Sequence, residues 1–298
     1  MTCSTACSGA LAKGTPNNPF HREQPSTAAA PAPSYDGHLT EVGAWLDSSR
    51  ATASFTTFVT YWLSCDEDAA SVEAQIDPRE SRRILWFPSL FDYGPTSRSR
   101  NGYTLRSDAE TCLRRLAPVI AKYGARTYGV HLADEPEAVA WNDHTPGDLP
   151  NVNQYNEELT TAATLVHREW GPHLKVSVNV GSVPPDLAIP RGLDRIALEA
   201  YGVDWLANLR NLEALTALPL LLMPPAFVQG DPRTQDAIVA QRVRDELAYA
   251  KTDPRIVGLF WFLWCCDDQT TGTRDFYAAG GSSLPLTQAA VRALWTNP

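Results

Sequence analysis

Past residue 35 the chain alternates between short runs rich in β-branched and aromatic residues and longer stretches whose apolar positions recur at helical spacing. The runs cover residues 55–62, 83–90, 127–134, 175–181, 195–201, 218–223 and 256–265. In the fourth of them Val176, Val178 and Val180 share one face and Ser177 and Asn179 the other, the period-two signature of a strand. The intervening stretches carry helix signals. Ser107-Asp108-Ala109-Glu110 reads as a capping box ahead of Leu113, Leu116, Ala117 and Ile120. The helix expected over 153–170 runs into Gly171-Pro172, a stop signal. A third, over 233–251, places Ile238, Val239, Val243 and Leu247 on one face, and a short helix over 286–295 closes the chain. Strand and helix alternate with no evident hairpin turn between them, which predicts a parallel sheet buried on both faces.

The expected fold class is α/β, a parallel (β/α)8 barrel of the TIM type. A chain of 298 residues is about the length one such barrel needs. An eighth strand is required, but residues 36–46 read as a helix, so the first strand is not identifiable from the sequence. An open doubly wound sheet is the competing architecture; no Gly-x-Gly-x-x-Gly after a strand and no phosphate loop accompany it. Residues 24–34 have linker composition, with proline and alanine and no apolar periodicity. The expected organisation is a tail over 1–34 and a barrel domain over 35–298.

Charge and cysteine content remove several function classes. Lys and Arg number 25 against 34 Asp and Glu, a net charge of -9, which argues against a nucleic-acid partner. No apolar run reaches the roughly 18 residues of a membrane span. Six cysteines in this length do not make a disulfide scaffold, and no paired Cys-x-x-Cys suggests zinc, so no metal or cofactor is expected. The start lacks a basic segment followed by an apolar one. No secretory signal is visible, and the expected location is either cytoplasmic or outside the cell after loss of a signal.

In a parallel barrel the chemistry sits at the carboxyl ends of the strands. The most informative end is Tyr128-Gly-Val-His-Leu-Ala-Asp-Glu-Pro136, where two acids precede a proline. Simple alternation puts Gly129, His131, Ala133 and Glu135 on the inner face. Asp134 then turns outward unless a bulge re-aims it. The plainer reading of Asp134-Glu135-Pro136 is a cap on whatever follows. In residues 195–201, Glu199 and Tyr201 share a face near another strand end, with Arg195 as a possible partner for Glu199. Asn179 and His131 face the lumen, where they serve either sugar hydroxyls or internal hydrogen bonds.

Asp134-Glu135-Pro136 at what would be the fourth strand resembles two groups of barrel glycoside hydrolases. Many clan-A enzymes carry Asn-Glu-Pro there with the Glu as general acid/base, and the resemblance implies that role for Glu135. Asp-Glu-Pro itself looks like the substrate-assisted β-N-acetylgalactosaminidase type, which implies a proton donor in Glu135 and a carboxylate orienting an acetamido group in Asp134. The chain departs from clan A at the seventh strand, where Met223-Pro224-Pro225-Ala226-Phe227 supplies no Glu nucleophile. Glu199 and Asp134 are the candidates for the assisting carboxylate, Glu199 ranking first because alternation turns it inward without a bulge.

Aromatic residues gather at the same strand ends. Trp86, Trp205 and Trp264, with Trp62, Tyr93, Trp141 and Phe227, would form a rim on which sugar rings stack, with Trp264 as the best platform; for each tryptophan taken alone core packing is the better explanation, and the cluster is stronger than its members. The expected function is a glycoside hydrolase cleaving an O-glycosidic bond, with Glu135, Glu199 and Asp134 catalytic and Trp264, Tyr201, Asn179, His131, Trp86 and Trp205 binding a carbohydrate substrate. A non-catalytic saccharide-binding barrel is the alternative. A metal-dependent barrel would need several His and Asp ligands at strand ends, and only His131 lies within a predicted strand.

Overall fold

The computed structural model describes residues 38–44, 58–75, 83–92, 104–123, 127–136, 152–201, 204–262, 269–271, 274–278 and 283–296. Eight parallel strands close into a barrel: β1 (Glu41–Ala44), β2 (Phe58–Trp62), β3 (Arg83–Trp86), β4 (Thr127–Asp134), β5 (Lys175–Val180), β6 (Arg195–Leu198), β7 (Leu220–Leu222) and β8 (Ile256–Trp261). Each strand pairs with its sequence neighbour, and β8 returns to β1. The helices that follow β2 to β8 and are described here are α1 (Ala69–Gln75), α2 (Ala109–Tyr123), α3 (Val152–Trp170), α4 (Trp205–Leu215), α5 (Pro232–Ala250) and α6 (Pro285–Thr296).

The missing first strand lies in residues read as helix. Glu41–Ala44 is extended and pairs in register with Gly258 to Trp261 of β8, while Gly43 and Ala44 pair with Phe58 and Val59 of β2. Four residues carry too little pattern to reveal a strand, and the β8 partners that pair with all four lie more than two hundred residues away. Two small antiparallel sheets were also not expected. Phe91–Asp92 pairs with Thr104–Leu105, and Phe227–Gln229 pairs with Arg274–Ala278, which pairs with Gln269–Thr271.

Alternation along the strands separates two packing regions. Val176, Val178, Val180, Ile196, Leu198, Leu220 and Leu222 join the apolar layer beneath the helices, with Leu113 and Leu116 of α2, Leu159 and Val166 of α3 and Val243 of α5. The alternate positions, Ser177, Asn179, Arg195, Ala197 and Leu221, are buried inside the barrel. Gly129 is needed there, because a Cβ on it would overlap the Arg195 guanidinium.

Helix ends follow their local chemistry. α3 stops at Gly171, which adopts φ +100° and donates its N–H to His167 O at 3.0 Å. Asp231 caps α5 by accepting from Arg233 N at 3.0 Å, with Pro232 in the first turn. The buried face of α5 differs from expectation: Asp236, Ala240, Val243, Glu246 and Ala250 are buried, and Ile238 is 68% exposed. Polar anchoring rotates the helix. Asp236 accepts from Leu286 N and Thr287 N, both at 2.8 Å, at the start of α6. Glu246 pairs with Arg242, whose guanidinium also donates to Ala200 O. Among the described residues a disulfide, Cys65–Cys112, ties the segment after β2 to α2 across 47 residues with Cα atoms 5.4 Å apart.

Candidate active site

At the end of β4 the register against β5 slips. His131 pairs with Ser177 but Asp134 pairs with Asn179, so three residue steps on β4 match two on β5. This is a bulge, and it overturns the simple alternation: Ala133 joins the outer apolar layer with Leu132, and Asp134 turns inward. Glu135 follows with φ +42°, a left-handed backbone that costs a non-glycine residue free energy. Its N–H donates to Asn179 O at 3.1 Å, which holds the turn. The Glu135 carboxylate lies over Gly181, where any Cβ would overlap it.

Beneath these acids runs a chain of buried polar groups. Ser177 Oγ lies 2.9 Å from His131 Nδ1, and His131 Nε2 lies 2.7 Å from Asn179 Oδ1. Asn179 Nδ2 donates to Asp134 Oδ1 at 2.5 Å and to Glu199 Oε2. Tyr201 Oη donates to the other oxygen of Glu199, Oε1. Asp134 and Glu199 are themselves hydrogen-bonded. Glu199 is set at the end of β6 by its own N–H, which donates to Val180 O at 2.8 Å.

Burial dominates the electrostatics of this cluster. It pushes Glu135 up to about 7, with the neighbouring Asp134 charge adding to the effect. Glu199 is raised well above its ordinary value by burial and then by Asp134 and Glu135. Asp134 is raised by burial against the bonds it receives from Asn179 and Glu199. Desolvation lowers His131 to about 4, so its imidazole is neutral. The Tyr201 hydroxyl is raised by burial and by Glu199, and stays protonated.

The structure thus brings together Asp134, Glu135, Glu199, Tyr201, Asn179 and His131 from the sequence-based set. His131 and Asn179 are enclosed and spend their polar atoms on neighbours; internal hydrogen bonding accounts for them. Trp205 stands in the helix layer, edge-on to Tyr249 at 6.0 Å and with the Arg242 guanidinium 5.2 Å from its ring. Trp86 ends β3, opposite His131 in register. Trp264, Tyr93 and Trp141 lie outside the described residues.

Two contributors escaped the sequence reading. Gly181 carries no signal beyond following a strand. Phe262 completes an aromatic group with Tyr201 and Phe227: the Tyr201 ring stacks on Phe262 at 5.7 Å and meets Phe227 edge-on at 5.1 Å. A run of aromatics in 256–265 announced apolar character, but not which ring would pass inside the barrel.

A closed parallel barrel with three carboxyl groups converging at the carboxyl ends of β4 and β6 is the layout of a barrel enzyme's active face. No protein-family model matches the chain, and no curated protein matches it. Solved structures do share its fold. A β-D-glucuronidase from Dictyoglomus thermophilum superposes with a TM-score of 0.57 at 10% identity, covering 88% of this chain and 51% of that one. The chain therefore spans about half the length of the glucuronidase. GH5_18 from Streptomyces cattleya, solved in complex with GlcNAc, gives a TM-score of 0.57 at 14% identity over 82% of this chain and 72% of that one. Xylanase 10B from Thermotoga petrophila, in complex with xylobiose, gives 0.55 at 11% identity over 87% and 94%. These similarities establish the TIM-barrel architecture that glycoside hydrolases of several kinds use.

Proposed function

We propose that this chain is a glycoside hydrolase in which Glu135 donates the proton to the glycosidic oxygen. The observation that carries the reading is the strained Glu135 at the end of β4, partly exposed, with its pKa held near neutrality beside a second carboxylate. A general acid works best when its pKa lies close to the working pH, and environments that push two carboxyls apart assign their roles. The fold neighbours, which include a xylanase bound to xylobiose and a protein bound to GlcNAc, support a saccharide as substrate. The Tyr201, Phe227 and Phe262 rings beside Glu199 offer the flat apolar surface that a sugar face needs.

The assisting carboxylate in this reading is Asp134. The bulge turns it inward, removing the reason to rank it behind Glu199, and it is half-buried where Glu199 is 6% exposed. After β7 the chain offers Met223-Pro224-Pro225 and no carboxylate, so Asp134 stabilises the developing positive charge while water or an acetamido group of the substrate attacks. The same missing carboxylate favours the second reading, a saccharide-binding barrel without catalysis. Hydrolysis of a panel of aryl glycosides and oligosaccharides, followed by anomer-resolved NMR, decides between them. Turnover by wild type that Glu135→Gln abolishes supports the enzyme. Inversion indicates direct attack by water, and retention restricted to N-acetylated sugars the assisted route. Saccharide binding with no turnover, unaltered in Glu135→Gln, overturns the enzyme in favour of the binding barrel.

A further inference from the structure

The hydrogen-bond donors around the carboxyl groups determine where the protons sit. We infer that Asp134 and Glu199 hold one proton between them, carried by Glu199, and that Asn179 is the positioning residue that fixes this arrangement and not a ligand for the sugar. The part that concerns turnover rests on the glycosidase reading above; the proton assignment does not.

An Asn side chain has one acceptor oxygen and one NH2 with two hydrogens. One end of the Asn179 amide meets two carboxyl oxygens, Asp134 Oδ1 and Glu199 Oε2. Only the NH2 suits both, so Oδ1 is committed to the other end, where it meets His131 Nε2 at 2.7 Å. That nitrogen must carry the single hydrogen of a neutral imidazole, leaving Nδ1 to accept from the Ser177 hydroxyl at 2.9 Å, a closer acceptor for that hydrogen than Val130 O at 3.4 Å. Every polar atom of His131 and Asn179 is then used. Asn179 and His131 are both buried, so neither has an atom left for a hydroxyl of the substrate.

The two carboxyl groups meet at one donor, the Asn179 amide nitrogen. Both ionised, they would repel across a desolvated contact; sharing a proton turns the contact into a hydrogen bond. Glu199 is the enclosed member and aspartate the intrinsically stronger acid, so the proton resides on Glu199 and the charge on the half-buried Asp134. The remaining groups around the pair are consistent with this. From β4 come neutral His131 and Glu135, and from the β6 segment protonated Tyr201 and, deeper in the barrel, Arg195. At the same level Ser177 and Asn179 of β5 and Leu221 and Met223 at β7 are uncharged. The mouth therefore presents one negative charge from the pair, and resting Glu199 is not a nucleophile.

The experiment is a pH titration of the full chain with 13C-labelled Asp and Glu carboxyls, read by NMR. One carboxyl is expected to titrate well above the ordinary glutamate value, with a resonance absent from Glu199→Gln. It is distinct from the carboxyl titrating near neutrality, which Glu135→Gln removes. Asn179→Ala, losing both N–H donors, shifts the Asp134 titration upward, and Asn179→Ser, which keeps one donor, shifts it less. A merely structural Asn179 would leave the Asp134 titration where it was. Where turnover is measurable, Asn179→Ala lowers kcat by about tenfold or more while KM stays within about threefold. Overturning results are the absence of any carboxyl protonated above neutral pH, an Asp134 titration unmoved by both Asn179 variants, or a rise in KM with kcat intact. A protonated Glu199 in a protein that hydrolyses no glycoside would defeat the glycosidase reading and leave the proton assignment standing.

Discussion

Glu135 combines a left-handed backbone, a neighbouring carboxylate and partial burial, and each has a measurable consequence. In the proposed role of proton donor it must be protonated, so kcat/KM is expected to fall as pH rises through about 7, and Glu135→Gln to cut kcat by about 10²–10⁴-fold and remove that limb. Stability carries the same sign. Between the ordinary glutamate value of 4.5 and about 7 the folded protein binds more protons at Glu135 than the unfolded chain does, so this group's stabilising contribution declines as pH rises across that window. Glu246, also raised to about 7 by burial, adds to the slope. Chemical denaturation at several pH values should show a shallower decline in Glu135→Gln than in wild type. Gly181 offers a separate check on position: in Gly181→Ala a methyl group occupies the place of the Glu135 carboxylate. Activity should drop by about 10²-fold, with the melting temperature changed little, since a displacement of order 1 Å at a reacting group is costly and the carboxylate can swing toward the open mouth.

Among the elements, the link between α2 and the segment after β2 is the clearest target. Cys65 and Cys112 are both buried, and Arg115 donates to Cys65 O while Ser89 Oγ accepts from Cys65 N at 2.9 Å. Cross-linking residues 47 apart restricts the unfolded chain, so reduction or Cys112→Ser should lower stability by about 2–4 kcal/mol in urea unfolding. The carboxylate cluster lies on β4 and β6, outside this link, and kcat below the melting temperature should be unchanged. Which two sulfurs meet depended on how α2 packs over the barrel. The α5 helix makes the same point about apolar periodicity. Ile238 was placed on the buried face by spacing, yet the bonds of Asp236 to α6 and of Arg242 to Ala200 O set the rotation of the helix.

At the scale of the whole molecule, the barrel closes through the four residues of β1, and that closure joins positions 41 and 258. Residues 1–34 lie outside the described residues, and their composition leads to the expectation that deleting residues 1–30 shifts the melting temperature by less than about 2 °C in calorimetry. A larger shift would place part of the folded domain in that segment. The strands β2 to β8, the helices α2, α3, α5 and α6 and the parallel class were legible, because period-two and 3.6-residue patterns are properties of neighbouring residues along the chain, while the short α1 and α4 were not read from it. Glu135 was legible for a similar reason: two acids before a proline at a strand end need no distant partner to attract notice. β1 was illegible, since only its pairing with β8 and β2 makes those residues a strand. The inward turn of Asp134 was illegible as well, because one extra residue in β4 moves Asp134 to the other face and the register against β5 decides where that residue falls. Local pattern thus determined the architecture and the strand end where the acidic pair lies. Tertiary pairing decided which carboxyls meet, because side-chain direction at a strand end depends on register, and register is a property of two strands together.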